Sequence, residues 1–178
     1  HVHNNSMKKI YDELVQHGEN FNLIHFGMLA LDSMRLEKNY RSWKSDLTSD
    51  YTMLQSGLEK WIKFDKGNFI GKEALKNEFD LGTSKKFVTL VVDDPEDNKP
   101  FGEPVYLSPV FAGDDYLGPI VSSGYGHRVK KSISMAILDD RNLNGLNDQL
   151  YIDVLGRKRK AYIVNEALYD PENLKLRS

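Results

Sequence analysis

Asp140, Asn142 and Asn144 set oxygen side chains at the first, third and fifth places of a calcium-loop pattern, with Gly145 at the sixth and Asp148 at the ninth. The twelfth place, where such a loop needs a bidentate Glu, is Tyr151, and the flanks read as strands rather than helices. Asn144-Gly145 is a strong turn pair, so the stretch predicts a polar turn and not a metal site. Arg157-Lys158-Arg159-Lys160 gathers positive charge. On a strand, however, alternate side chains face opposite sides, so the run forms no single anion-binding surface. Gly124-Tyr125-Gly126 lacks the third glycine and the following helix of a dinucleotide loop. The five His show no metal-ligand spacing, His127 beside the glycines being the least bland, and no Ser/His/Asp arrangement stands out.

Composition narrows the classes further. The 178 residues carry 24 basic and 26 acidic side chains, a formal charge of -2 that argues against a general nucleic-acid binder. Hydrophobic residues make up 40%, enough for a packed core. No apolar run approaches the roughly 20 residues of a membrane span. Cys is absent, which removes disulfide scaffolds, thiolate metal sites and thiol nucleophiles, and fits a reducing compartment. The first six residues lack the basic and apolar segments of a secretion signal.

The elements that must position any site fall into two zones. Ser6–Gly18 predicts a helix with Met7, Ile10, Tyr11, Leu14 and Val15 on one face, Ser6 as cap and Gly18 as left-handed terminator. Met28–Lys38 predicts a second helix with Leu31, Met34 and Lys38 on a shared face. Tyr40–Gly67 has no sustained period and reads as a surface or cleft lining, and Gly71–Leu75 as a short helix. From residue 85 the pattern becomes β: Phe87–Val92 closed by Asp93-Asp94-Pro95, then Glu103–Leu107, Ile120–Gly124, Ser132–Leu138, Gln149–Leu155 and Lys158–Val164, the last two joined by a Gly156-Arg157 hairpin. Short strands at near-regular spacing predict a small antiparallel barrel or sandwich, and the chain divides near residues 80–85.

One segment is recognisable. Ala30-Leu31-Asp32-Ser33-Met34-Arg35-Leu36-Glu37 leads through Tyr40-Arg41-Ser42-Trp43-Lys44-Ser45-Asp46-Leu47 to Tyr51–Leu58 and Phe64–Leu75. Gly102-Glu103-Pro104-Val105, Gly118–His127 and Tyr169-Asp170-Pro171 follow in order. From about Ile10 to Pro171 this resembles the aminomethyltransferase family, the T-protein of the glycine cleavage system. The Ser42–Asp46 run and the Tyr169–Asn173 ending look closer to the folate domain of dimethylglycine and sarcosine dehydrogenases.

The resemblance implies an α+β fold: the C-terminal part of a T-protein-like folate-binding domain at 1–82, then a small antiparallel β-barrel at 83–178. It implies a tetrahydrofolate-dependent one-carbon transferase in the parent protein, taking a one-carbon donor as partner. An upstream flavin domain with FAD would oxidise a methylated glycine in the dehydrogenase branch. The family's essential Asp has no counterpart in these residues and is expected upstream of a chain that begins mid-protein, so no catalytic residue is assigned and the piece alone is expected to be inactive. The family's Arg-Leu-Glu motif makes Arg35 a folate or substrate contact, and Trp43 a candidate stacking ring. Helix spacing alone would pair Arg35 with Asp32, and Trp43 suits a core equally well. Glu37 fits a structural partner of a basic side chain. The family commonly has Pro, Glu and Gly where Met53, Gln55 and Lys44 stand. Two other readings compete: a non-catalytic barrel that supports or docks a neighbour, and a folate-binding iron–sulfur assembly factor. The second is disfavoured because Asn68 replaces that family's Cys. The expected location is the cytoplasm, or the mitochondrial matrix in a eukaryote, with no metal, nucleic acid or membrane partner.

Overall fold

The computed structural model describes residues 1–93, 103–140, 143 and 150–178. Two compact units divide the chain, His1–Leu31 and Asp32–Ser178.

The first unit holds α1 (Asn4–Gly18), a 3-10 turn (Glu19–Phe21) and the start of α2 (Met28–Glu37). His3, not Ser6, caps α1: its side chain accepts from the Asn5 N–H, because the helix begins two residues before the expected start. Gly18 is right-handed at φ −70, and the left-handed turn falls on Asn22 at φ 53. Gly18 is required for space instead, since a Cβ there would lie 2.6 Å from Leu23 Cδ1.

The second unit is built on a closed antiparallel barrel in the order β1-β4-β3-β2-β5-β6, with β6 returning to β1. The strands are β1 (Lys85–Val92), β2 (Pro109–Ala112), β3 (Asp115–Gly126), β4 (Lys131–Asp139), β5 (Leu150–Val154) and β6 (Arg157–Val164). Closure gives each of these strands two hydrogen-bonded neighbours, so none is an edge strand. Val88, Leu90 and Val92 alternate into an interior shared with Val110, Ile120, Ala136, Leu138, Leu150 and Ile152. The opposite face of the same wall is buried too: Phe87, Val121, Ile133, Met135 and Ile137 pack with Leu36. Burial on both faces is why β1 and β4 read as largely apolar runs, interrupted by the buried hydroxyls of Thr89, Ser132 and Ser134.

Several elements depart from expectation. Glu103–Leu107 is not a strand. The Ser108 N–H bonds Val105 O and the Ser108 hydroxyl accepts from the Val105 N–H, closing a turn with Leu107 left-handed. The strand follows as β2, opening on Pro109, a position where no ladder donor is needed. β3 starts five residues early and runs through Gly118-Pro119, which reads as a break. A Cβ on Gly118 would meet Ile137 O at 2.2 Å, so the glycine permits close strand approach. The β5–β6 turn is Leu155-Gly156, both at positive φ, one residue before the expected pair. α3 runs Lys72–Leu81, longer than expected, after a left-handed Gly71. Asp140–Tyr151 and the Asp93–Pro95 turn fall largely outside the described residues.

Candidate functional site

The last turn of α2 buries Leu36 and Glu37, while Leu31 and Met34, the expected apolar face, are exposed. The wall beneath selects this face. On β3 a Cβ at Gly124 would stand 3.0 Å from Leu36 Cδ1, and one at Gly126 would stand 2.9 Å from Glu37 Cγ. The Gly-Tyr-Gly run is thus where a helix can approach a strand closely. Glu37 accepts from the backbone N–H groups of Arg128 (2.7 Å) and Val129 (3.2 Å), not from the basic side chain expected, and so anchors the β3–β4 turn.

Arg35 stands beside them, its side chain 15% exposed. Its Nε donates to Asp32 Oδ1 at 3.0 Å, Nη1 to Asp46 Oδ2 at 2.8 Å and to Tyr40 O at 3.3 Å, and Nη2 to Ser122 Oγ at 2.9 Å. Asp46 is fully buried and also accepts from the Ser42 N–H at 2.7 Å and from the Ser122 hydroxyl. Ser122 arrives through a β-bulge. Ile120 faces Ala136 and Ser122 faces Met135, so Val121 and Ser122 share one partner and both turn outward. A guanidinium has five N–H donors, and these contacts leave one Nη2 N–H without an acceptor among the described residues.

The Ser42–Leu47 loop carries Asp46. The N–H groups of Asp46 and Leu47 both bond Ser42 O, and Lys44 sits left-handed at φ 73. That conformation costs a side-chain-bearing residue roughly 1 kcal/mol relative to glycine, which accounts for the Gly expected at this place. Trp43 is in the same loop, 76% exposed, so it is not a core residue. The structure therefore places Arg35 against the Asp46 carboxylate and Trp43 three residues before it, ring to solvent. Gln55 also has a local role: Thr52 and Gln55 cap each other, the Thr52 N–H on Gln55 Oε1 at 3.2 Å and the Gln55 N–H on Thr52 Oγ1 at 3.1 Å. An amide serves that capping box as well as a carboxylate.

The tail after β6 closes over the end of α2. The Tyr169 N–H bonds Glu37 O, and Lys38 Nζ donates to Asp170 O, Asp170 Oδ2 and Asn173 Oδ1 at 2.6, 3.2 and 2.6 Å. Burial pushes the Asp170 carboxyl up, but the Lys175 N–H, the Lys38 ammonium and the Leu174 N–H pull it below the usual carboxylate range. Among the described residues the His127 ring makes an edge contact with Tyr125, and its backbone N–H a long bond to Ser33 Oγ. Among the described residues no cluster of His, Asp and Glu could hold a metal ion, and no helix is long and apolar enough to cross a membrane. Asp46 and Ser122 carry no distinguishing sequence signal. A buried carboxylate in a polar loop looks like any solvated one until the fold covers it.

Two family models match the chain in succession: the GCVT N-terminal domain over residues 1–66 and the glycine cleavage T-protein C-terminal barrel domain over residues 85–170. The chain belongs to the glycine cleavage T-protein, or aminomethyltransferase, family. This T-protein-family chain is 30% identical over 164 residues to human mitochondrial dimethylglycine dehydrogenase, covering 89% of the chain and 18% of that protein. It is 29% identical over 161 residues to the aminomethyltransferase of a Thermoanaerobacter strain, covering 90% of the chain and 42% of the relative. Its fold matches the crystal structure of the glycine cleavage system aminomethyltransferase T from Bartonella henselae with a TM-score of 0.67 at 20% identity, over 80% of this chain and 38% of that one. The expected α+β architecture, helices followed by a closed C-terminal barrel, is therefore the observed one. The chain spans less than half the length of these relatives.

Proposed function

We propose that this chain is the later part of a tetrahydrofolate-dependent aminomethyl transferase, specifically the folate domain of a dimethylglycine or sarcosine dehydrogenase-like enzyme. The supporting observation is the succession of the two T-protein domain matches along one chain. On this reading residues 1–82 belong to the folate-binding domain and 83–178 to the barrel. The acid–base Asp lies upstream, and an upstream flavin domain with FAD supplies the one-carbon unit. The compartment is the cytoplasm, or the mitochondrial matrix in a eukaryote.

The residues present fit a folate in a limited way. Trp43 offers an uncovered ring for stacking, and Arg35 offers one remaining Nη2 N–H, its other donors being held by Asp32, Asp46, Tyr40 and Ser122. Their work is to bind and orient the cofactor, whose own chemistry is to carry the one-carbon unit. Titration of the parent enzyme with tetrahydrofolate tests the assignment. Trp43→Ala, an exposed site whose loss leaves the fold intact, is expected to weaken binding about fivefold, the worth of one aromatic contact. Unchanged affinity would remove Trp43 from the site.

A second reading treats the barrel as a support or docking element without a ligand. The near-complete internal satisfaction of Arg35 favours it, and absence of folate binding by the parent would select it. The iron–sulfur assembly role lacks its thiol, Asn68 standing at that place.

A further inference from the structure

We propose that the pocket beside β1 and β6 binds a small organic carboxylate through the guanidinium of Arg41. The pocket has a volume of about 930 Å³, and Arg41, Gly57, Trp61, Phe87 and Ile163 are among its lining residues. That volume lies in the range of small-molecule sites.

Arg41 is held on one side and open on the other. Its guanidinium stacks on the Phe87 ring at 4.2 Å, and Nε donates to Ser56 O at 2.7 Å. Neither Nη group has an acceptor among the described residues. Burial pushes the guanidinium pKa down, against the through-space pull of Glu59 and Asp46. Glu59 makes no hydrogen bond to it, and the Asp46 oxygens are committed to Arg35, Ser42 and Ser122. Gly57, left-handed at φ 65, keeps the space beside the fork clear, because a Cβ there would lie 2.6 Å from Nη2. A planar fork fixed by an aromatic face and a backbone carbonyl, with both Nη groups unspent, is the geometry that takes a carboxylate through paired bonds.

The Arg35 guanidinium meets carboxylates within the chain, whereas Arg41 has no carboxylate partner among the described residues. The wall carries charges of both signs, so net charge does not select the ligand, whereas the fork does. Trp61, 67% exposed, gives the pocket an apolar surface for the ligand body. A flat carboxylate of modest size is the class indicated. Arg35 and Trp43 do not line this pocket, so the inference is independent of the folate reading.

Benzoate is the probe. Titrated into the 178-residue chain and followed by amide and Arg Nε–H NMR shifts, it is expected to move Gly57 and Arg41 in a saturable way. Benzamide, of the same shape without the charge, is expected to bind about tenfold more weakly, or worse, and Arg41→Lys, which keeps the charge and loses the fork, is expected to weaken benzoate similarly. Equal affinity for benzoate and benzamide, shifts that avoid Gly57 and Arg41, or full affinity in Arg41→Lys would each overturn the proposal. The two probes on the unaltered chain decide the matter even if the variant does not fold.

Discussion

The inner and outer faces of the β1–β4 wall are buried to a similar degree by different physics. Inside, Val88, Leu90, Val92, Ala136 and Leu138 meet other apolar side chains, and burial there is non-directional. Outside, Ile133, Met135 and Ile137 share their surface with charged and polar groups. Arg35 is bound to Asp46 and Ser122, Glu37 to two backbone amides, and Thr89 to Asn39 at 2.7 Å. The interior needs chiefly the right volumes, although Ser134, in register with Leu90, buries a hydroxyl there without a partner among the described residues. The exterior needs the end of α2 at one place and in one orientation, because hydrogen bonds fail when displaced by an ångström. The outer face therefore specifies where Arg35 and the Trp43 loop stand, while the inner face supplies cohesion.

The largest expected effect on the outer face is that of Asp46→Ala. It takes the buried carboxylate from a mostly buried guanidinium that keeps Asp32 as a charged partner, and is expected to cost about 3 kcal/mol, read from the denaturant midpoint. Pairing Arg35→Met with Asp46→Leu removes both charges and is expected to restore most of that loss. A double variant as unstable as the single one would mean that the charges, rather than their mutual pairing, hold the wall.

A smaller effect tests how closely α2 must approach. Gly126→Ala places a Cβ 2.8 Å from Ile133 Cδ1 and 2.9 Å from both Glu37 Cγ and Val129 Cγ2. It is expected to cost about 1–3 kcal/mol by overpacking. Gly124→Ala, with the single 3.0 Å contact to Leu36, should cost less. Equal and negligible effects in thermal melts would show that the helix can ride outward freely.

The mildest effect concerns the tail. The Asp170 pKa is lower in the folded chain than its ordinary value of 3.8, so its contribution is fully present above the ordinary carboxylate range. That contribution drains away as the pH falls through 3.8 toward the lower folded value. Asp170→Asn should flatten the acid side of the stability profile. Parallel profiles for variant and parent chain would show that the Lys38–Asp170 contact carries no pH dependence.

Much of the fold is visible in local pattern. Phe87–Val92 and Ser132–Leu138 announce strands through their β-branched and apolar runs, and α1 through its periodicity. Glu103–Leu107 misleads because Ser108 closes a side-chain turn that competes with the ladder, and Asp115–Pro119 hides behind a Gly-Pro pair. On α2 the period points to Leu31 and Met34, but the surface it meets at Gly124 and Gly126 selects Leu36 and Glu37 instead. The motif around Arg35 and Trp43 is legible as a resemblance; the Asp46 and Ser122 partners are not.

The amino-acid order alone determined the helical front, the β-rich back, the absence of thiol chemistry and the family to which the chain belongs. Those properties depend on residue type, on short-range periodicity and on motif order. Tertiary structure alone decided that Arg35 spends its donors on Asp46 and Ser122 while neither Arg41 Nη group meets an acceptor among the described residues. Ser122 lies 87 positions from Arg35 and is turned outward by a bulge. Which acceptor a guanidinium meets depends on packing across such distances, and local propensity carries no information about it.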